Sequence, residues 1–301
     1  MLASLPAFLR IPLACLAVLV STLLHVLPLL AFTAVRLVVP LRPVRHACGV
    51  IAVRIAESWL AVNNWLFGVF TRTQWTIEGM EGLSTRENYL VVCNHQSWVD
   101  IPALQMVFNR RIPFMRFFLK SQLIWVPLLG PAWWALDFPF MKRHSRQELE
   151  ARPELRGRDR AATQKACEKF RHVPVAIMNF TEGTRFTPAK HDAQTSPYTH
   201  LLRPKAGGVA FVIDAMGDAI RHMLDVTIVY PAGPSTMMEM IAGRIREVRI
   251  HIRQLPIPAD MRGDYENDAV FRARFQAWVN QLWAEKDARI GAMSAARAAT
   301  A

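Results

Sequence analysis

The sequence predicts an α/β fold, a mixed central sheet flanked by helices, with an N-terminal membrane-associated helical segment. Three observations lead there. From about residue 73 onward, short β-branched apolar runs alternate with helical stretches, the pattern of a layered α/β domain. Two polar clusters, 94–100 and 181–185, each follow a strand-like run, where a sheet can fix a side chain while a loop exposes it. Finally, Ile11 to Val35 contains no Asp, Glu, Lys or Arg, a run long enough to cross a bilayer.

That first run is flanked by Arg10 before it and by Arg36, Arg42 and Arg45 after it, so the positive-inside rule puts the downstream chain in the cytoplasm. Pro28 leaves a kinked or re-entrant helix open. The run is too long for a secretory signal and lacks an A-x-A site. A second apolar segment, Cys48 to Phe70, is interrupted by Arg54, Glu57, Asn63 and Asn64. Its Trp59, Trp65 and Phe67 suit a helix at headgroup level, or equally a helix packed on the core.

Thr73 to Glu78 reads as a strand, and Glu87 to Cys93 as another entering the first polar cluster. Ile101 to Phe108 continues as helix. Lys120 to Leu129 is expected to be a helix ended by Gly130-Pro131, and Trp133 to Phe140 a buried strand. The charged stretch 142–160 reads as an exposed loop or short surface helix. Arg160 to Arg171 suits an amphipathic helix with Ala162, Ala166 and Phe170 inward. Val173 to Phe180 is a strand into the second cluster, and Lys205-Ala206-Gly207-Gly208 opens a helix to about Met216. Leu224 to Tyr230 is a strand. Val248 to Arg253 alternates apolar and basic residues as at a sheet edge. Ala269 to Ile290 is a helix with Phe271, Phe275, Trp278 and Leu282 along one stripe.

The net charge of +12 asks for an anionic partner, while 52% hydrophobic residues favour a membrane surface over nucleic acid. The aromatic and basic stretch from Arg110 to Lys120 fits a lipid headgroup better than a nucleic acid. Four scattered cysteines without a CxxC pair suggest neither a zinc site nor disulfides. No Walker-type phosphate loop, no G-x-S-x-G elbow and no H-E-x-x-H metal motif is present, although Lys205 before Gly207-Gly208 superficially resembles the first.

The chemistry-bearing candidates are few. His95 can act as a base near neutral pH, and Asp100 could orient its ring. On one continuous helix the two would point roughly 140° apart, so they meet only if His95 sits in a loop and a helix begins before Asp100, with Ser97 as a possible N-cap. Taken alone, a pattern as short as His-x4-Asp fits a helix cap beside a surface histidine better, and it gains weight only from company. Arg185, in a Gly-containing strand-end loop, is suited to grip a phosphate. Gly183 would let the backbone approach that ligand, and Glu182 could hold Arg185 or accept a hydroxyl.

Asn94-His95-Gln96-Ser97-Trp98-Val99-Asp100 resembles the first sequence block of the glycerolipid acyltransferases, a family that includes 1-acylglycerol-3-phosphate acyltransferases. Phe118-Leu119-Lys120 is similar to the second block, Phe180-Thr181-Glu182-Gly183-Thr184-Arg185 to the third, and Val226-Thr227-Ile228-Val229-Tyr230-Pro231 to the fourth. The segments 136–143 and 202–205 look closest to the lysocardiolipin acyltransferase-like branch, and a chain without a long apolar C-terminal segment looks like a compact bacterial member.

The resemblance implies residues 1–70 as membrane-anchoring helices and 71–301 as a catalytic domain. It implies His95 as base and Asp100 as its partner, with Lys120, Glu182, Gly183 and Arg185 binding the acceptor phosphate. It further implies an acyl-CoA or acyl carrier protein donor, a lysophospholipid acceptor, membrane phospholipids as surroundings, no nucleic acid, no metal and no bound cofactor. The expected location is a bacterial inner membrane with the catalytic domain on its cytoplasmic face.

Overall fold

The computed structural model describes residues 2–141, 158–170, 173–234 and 236–295. The strands are β1 (Gln74–Glu78), β2 (Tyr89–Cys93), β3 (Met115–Phe117), β4 (Leu119–Lys120), β5 (Phe140–Met141), β6 (Ala176–Phe180), β7 (His222–Val229) and β8 (Glu247–Pro256). The helices are α1 (Ala7–Val38), α2 (Arg42–Phe70), α3 (Asp100–Phe108), α4 (Leu129–Ala135), α5 (Arg158–Glu168), α6 (Pro188–Gln194), α7 (Ala206–Met216), α8 (Met237–Ile241) and α9 (Ala269–Ala295).

Six strands form one sheet in the order β1-β8-β7-β2-β6-β3, parallel throughout except where β8 runs antiparallel to β7; β4 and β5 form a separate small pair. β2 lies near the middle and every one of its residues is buried, which is why its sequence is continuously apolar rather than alternating. Tyr89, Val91 and Cys93 face the cluster that includes α3, whereas Leu90 and Val92 face α7 and α9. Because β2, β6 and β3 run the same way, the loops after them emerge at one rim of the sheet.

The N-terminal run forms a single helix, α1, continuous through Pro28. By length and composition it is the one helix among the described residues able to cross a membrane, and Leu13, Leu16, Leu19, Leu24 and Leu27 stay exposed along it. α2 folds back beside it. Ser21 Oγ donates to Asn63 Oδ1 across 3.1 Å, so one of the residues that interrupts the second apolar segment joins the two helices. Val26, Leu29, Ala52 and Ala56 share the apolar cluster of the sheet, and hydrophobic packing therefore runs across residue 70 without a break.

Several local expectations are corrected. No helix spans 120–129: Lys120 ends β4, a short 3₁₀ turn covers Ser121–Trp125, and α4 starts at Leu129 and runs through Gly130-Pro131. Pro131 falls in the first turn of α4, where a missing N–H breaks no intrahelical bond. Gly130 is required because a Cβ there would lie 2.1 Å from the Ile124 carbonyl oxygen. The expected strand 133–140 is instead the end of this helix as far as Ala135, a turn, and an extended pair at Phe140–Met141. β8 is not an edge strand, since β1 covers its outer side; its alternation reflects apolar residues inward and Arg249 and Arg253 reaching α9. In α5 the inward residues are Thr163 and Cys167, followed by Phe170, rather than Ala162 and Ala166. α9 buries Phe271, Phe275, Val279 and Trp283 at i+4 steps, leaving Trp278 and Leu282 only partly covered. The charged stretch from 142 lies outside the described residues as far as 157.

α9 is also bolted to the sheet electrostatically. Lys286, fully buried, pairs with Asp225 at 2.5 Å and donates to the Val226 carbonyl, while Arg253 grips the other oxygen of Asp225 at 2.6 Å. Burial opposes the charge on Asp225, but the two cations outweigh it and hold the carboxyl below its usual range. Lys286→Met leaves a buried carboxylate short of a partner and should lower unfolding free energy by about 3 kcal/mol. Urea titration in detergent micelles reads this directly, and an unchanged midpoint would contradict it.

Candidate active site

The loop after β2 does what the spacing required. His95 stays outside the helix, α3 begins at Asp100, and His95 Nδ1 lies 2.8 Å from Asp100 Oδ2. The Asp100 carboxylate, with no exposed surface, is the hub of this loop. Its Oδ2 also accepts the backbone N–H groups of Gln96 (2.7 Å) and Ser97 (2.9 Å), and its Oδ1 accepts the Tyr230 hydroxyl at 2.7 Å. A carboxylate can only accept, so the proton in the His95 contact sits on Nδ1 and the Nε2 lone pair is left free. Ser97 is not the helix N-cap. That position belongs to Val99, and the Ser97 hydroxyl instead accepts the Val99 N–H at 3.0 Å.

Neighbouring elements hold the loop from both sides. The Asn94 side chain exchanges two hydrogen bonds with the Ile228 backbone, both 2.9 Å, continuing the β2–β7 ladder past its last paired residue. The His95 ring stacks on Phe180, at the end of β6, with centroids 3.9 Å apart. The His95 carbonyl accepts the Phe186 N–H at 2.7 Å. The Cys93 thiol, just before the loop, is pushed well above its ordinary range by burial, so it offers no nucleophile.

Glu182 does not hold Arg185 and does not face solvent. Its fully buried carboxylate accepts the His95 N–H (2.8 Å) on one oxygen and the Leu202 N–H (2.9 Å) on the other. A buried anion with both oxygens occupied by backbone is a brace, not a phosphate contact, and this corrects the expected role of Glu182. Gly183 has φ +70° and forms the turn, and a Cβ there would approach Lys205 Cδ to 3.1 Å. It is the Lys205 side chain that exploits the missing Cβ. Arg185 has its guanidinium 4.3 Å from the Trp98 ring, and among the described residues no carboxylate pairs with it. That cation–π contact joins the two strand-end loops. Lys190 donates to Thr184 Oγ1 and to the Arg185 carbonyl, fixing the same turn from α6.

Lys120 is exposed at the end of β4, and among the described residues it has no hydrogen-bond or ion-pair partner. Nothing joins it to His95 or Arg185. The sequence reading did not single out Trp98, Phe180 or Tyr230 as functional side chains, and it considered Lys205 only under a phosphate-loop motif that is absent. Tyr230 carried one legible signal, its position at the end of a buried strand. Among the described residues no group of three His, Cys, Asp or Glu could hold a metal.

The sequence profile of the acyltransferase family matches residues 74–232, from β1 to just past β7. The chain belongs to this family. The stretch matched by the acyltransferase profile contains every residue of the His95–Asp100 loop, the Glu182–Arg185 turn and Tyr230. Among similar proteins, lysocardiolipin acyltransferase 1 of Danio rerio is 25% identical over 254 residues, covering 79% of this chain and 60% of that protein. The human 1-acyl-sn-glycerol-3-phosphate acyltransferase delta is 24% identical over 216 residues, covering 67% of this chain. The chain thus spans 60% and 52% of the length of these two relatives. The crystal structure of the 1-acyl-sn-glycerophosphate acyltransferase PlsC from Thermotoga maritima shares the fold, with a TM-score of 0.52 at 17% identity over 93% of this chain and 98% of that one.

Burial pushes the Glu182 carboxyl up to about 7, against the pull of its two backbone N–H donors. A carboxyl raised in the folded state stabilises the fold below its unfolded value near 4.5 and loses that contribution as pH rises to about 7. Wild-type stability, measured against Glu182→Gln, should therefore decline across that window by up to about 3 kcal/mol and level off above it. Thermal melts at a series of pH values test the sign, and a difference that grew with pH would refute it.

Proposed function

We propose that this chain transfers a fatty acyl group from a thioester to the free hydroxyl of 1-acylglycerol-3-phosphate, giving phosphatidic acid. The observation that carries the reading is the His95–Asp100 contact at 2.8 Å, with Nε2 free, in the loop whose Trp98 holds the unpaired cation of Arg185. His95 Nε2 removes the hydroxyl proton as the oxygen attacks the thioester carbonyl. Asp100, supported by Tyr230, holds the ring and stabilises the imidazolium that forms. The tetrahedral adduct then collapses, the C–S bond breaks, and His95 returns its proton to the leaving thiolate. The nucleophile belongs to the acceptor, so no acyl-enzyme forms and no bound cofactor takes part. The donor, acyl-CoA or acyl carrier protein, is a substrate.

In this reading Arg185 grips the acceptor phosphate, Gly183 shapes its turn, Glu182 braces the His95 backbone from below, and Lys205 and Lys120 supply further positive charge at the same rim. The exposed apolar face of α1 seats the protein in a membrane among its phospholipids, with the acyltransferase domain (71–301) on the cytoplasmic side of a bacterial inner membrane and 1–70 as its anchor. The likeness to lysocardiolipin acyltransferase 1 favours a lysophospholipid with a larger headgroup as the second reading.

The test is acyl transfer to 1-acylglycerol-3-phosphate by full-length protein in detergent, with each donor offered separately. His95→Ala should reduce turnover by about 10²–10⁴-fold with the fold intact. Arg185→Gln should mainly raise KM for the acceptor, and Tyr230→Phe should lower turnover by a smaller factor while leaving KM near its original value. Equal turnover by wild type and His95→Ala would sink the base assignment. Activity on a lysophospholipid lacking a terminal phosphate, unaffected by Arg185→Gln, would favour the second reading.

A further inference from the structure

At the opposite rim of the sheet from His95 lies an open cavity of about 950 Å³ lined by α1, α2, the start of β3 and the segment from Trp134 to Phe138. Its position follows from strand direction. Thr85, Phe114 and Pro174, which line it, lie ahead of β2, β3 and β6, whereas His95 and Arg185 follow β2 and β6. Five residues of β2 separate the two rims by about 16 Å at a rise of about 3.3 Å per residue. No residue given a role in acyl transfer lines this cavity.

Its walls carry six cations, Arg36, Arg45, Arg54, Arg110, Arg116 and Lys169, against two carboxylates, Glu57 and Asp137. Asp137 is shared between Arg36 (3.3 Å) and Lys169 (3.2 Å), and Glu57 is taken by Arg54 (2.9 Å). The side chains of Arg45 and Arg110 have no hydrogen-bond or ion-pair partner among the described residues. Arg116 is the most telling. It is buried to 8% exposure, its guanidinium lies 5.4 Å from the Phe114 ring and 5.0 Å from the Phe170 ring, and among the described residues it donates to the carbonyls of Leu136 and Phe114. Among the described residues no carboxylate touches it. Desolvation lowers it to about 10, the direction expected of a buried charge whose counter-ion is not in contact. A buried, planar, unneutralised guanidinium with further cations around it is suited to a phosphate oxygen.

The rest of the lining says which phosphate. Leu37 (63%), Val50 (47%), Trp134 (49%) and Val173 (51%) stand exposed at this cavity, and Leu37 continues into the exposed apolar face of α1. A free phosphate uses none of that surface. A lipid uses both, with its headgroup among the arginines and its chains along the helices. We propose that this cavity is a second binding site, distinct from the acyl-transfer site, for an anionic phospholipid held by its phosphate on Arg116, Arg45 and Lys169.

The experiment titrates full-length protein in neutral detergent with short-chain phosphatidylglycerol, short-chain phosphatidylcholine and inorganic phosphate. It reads the part of the tryptophan emission that disappears in Trp134→Phe. Phosphatidylglycerol should give a saturable response that weakens about tenfold or more in an Arg45→Glu/Lys169→Glu variant, both positions being exposed and free to change without disturbing the core. The response should persist in Arg185→Gln, which separates this site from the acyl-transfer site. Equal affinity for phosphatidylcholine would overturn the proposal, as would inorganic phosphate saturating the signal as tightly as the lipid. Loss of the response in Arg185→Gln would assign the lipid to the other rim and overturn it equally.

Discussion

Asp100 is the constraint on which the reactive loop depends. Its carboxylate gathers the His95 ring, two backbone N–H groups and the Tyr230 hydroxyl, so one side chain fixes the loop path, the ring orientation and the proton on Nδ1 together. Three of these donors lie in the loop between β2 and α3, and the fourth, Tyr230, follows β7. The imidazole is therefore preorganised by the loop's own backbone together with the sheet that places Tyr230. The network is also closed, since the two oxygens between them meet four donors and face no solvent.

A second carboxylate repeats the device one level down. Glu182 ties the backbone of His95 to that of Leu202, and Phe186 returns a hydrogen bond to the His95 carbonyl. The loops after β2 and β6 thus form one unit, sealed on the outer side by Arg185 over Trp98. Buried acids at two adjacent strand ends are costly to place, and both are satisfied by backbone, hydroxyl or imidazole donors rather than by lysine or arginine. Positive charge near the site, on Arg185, Lys190 and Lys205, is left for other work, although Lys190 spends part of its capacity on its own turn.

The fold class and most of the major strands follow from periodicity, whereas the His95–Asp100 meeting is left open by spacing alone and follows from the resemblance of the 94–100 block. The partner side chains were less legible. Tyr230 reaches Asp100 only once β7 lies beside β2, and nothing local to Tyr230 encodes that neighbour. For Glu182 the nearby Arg185 and Gly183 suggest a grip on Arg185 or on a ligand, whereas one of its actual partners, the Leu202 N–H, lies twenty residues away in the chain. The stretch 120–140 misled for a different reason. Gly130-Pro131 reads as a helix terminator, whereas close approach to Ile124 demands the glycine and the first turn of α4 accepts the proline. Likewise β8 has the alternating look of an edge, and only the pairing of β1 outside it shows otherwise.

That outer pairing has a bearing on how the chain is made. Among the described strands β1 comes first in the chain, yet the one it pairs with is β8, with Gln74 opposite Glu247. Throughout synthesis of the intervening sheet its backbone donors and acceptors wait unpaired, a template for wrong association. Its composition answers the hazard: five residues, Gln-Trp-Thr-Ile-Glu, polar at alternate positions and exposed at four of the five. A longer or more apolar first strand would suit the finished sheet equally well and the nascent chain much less.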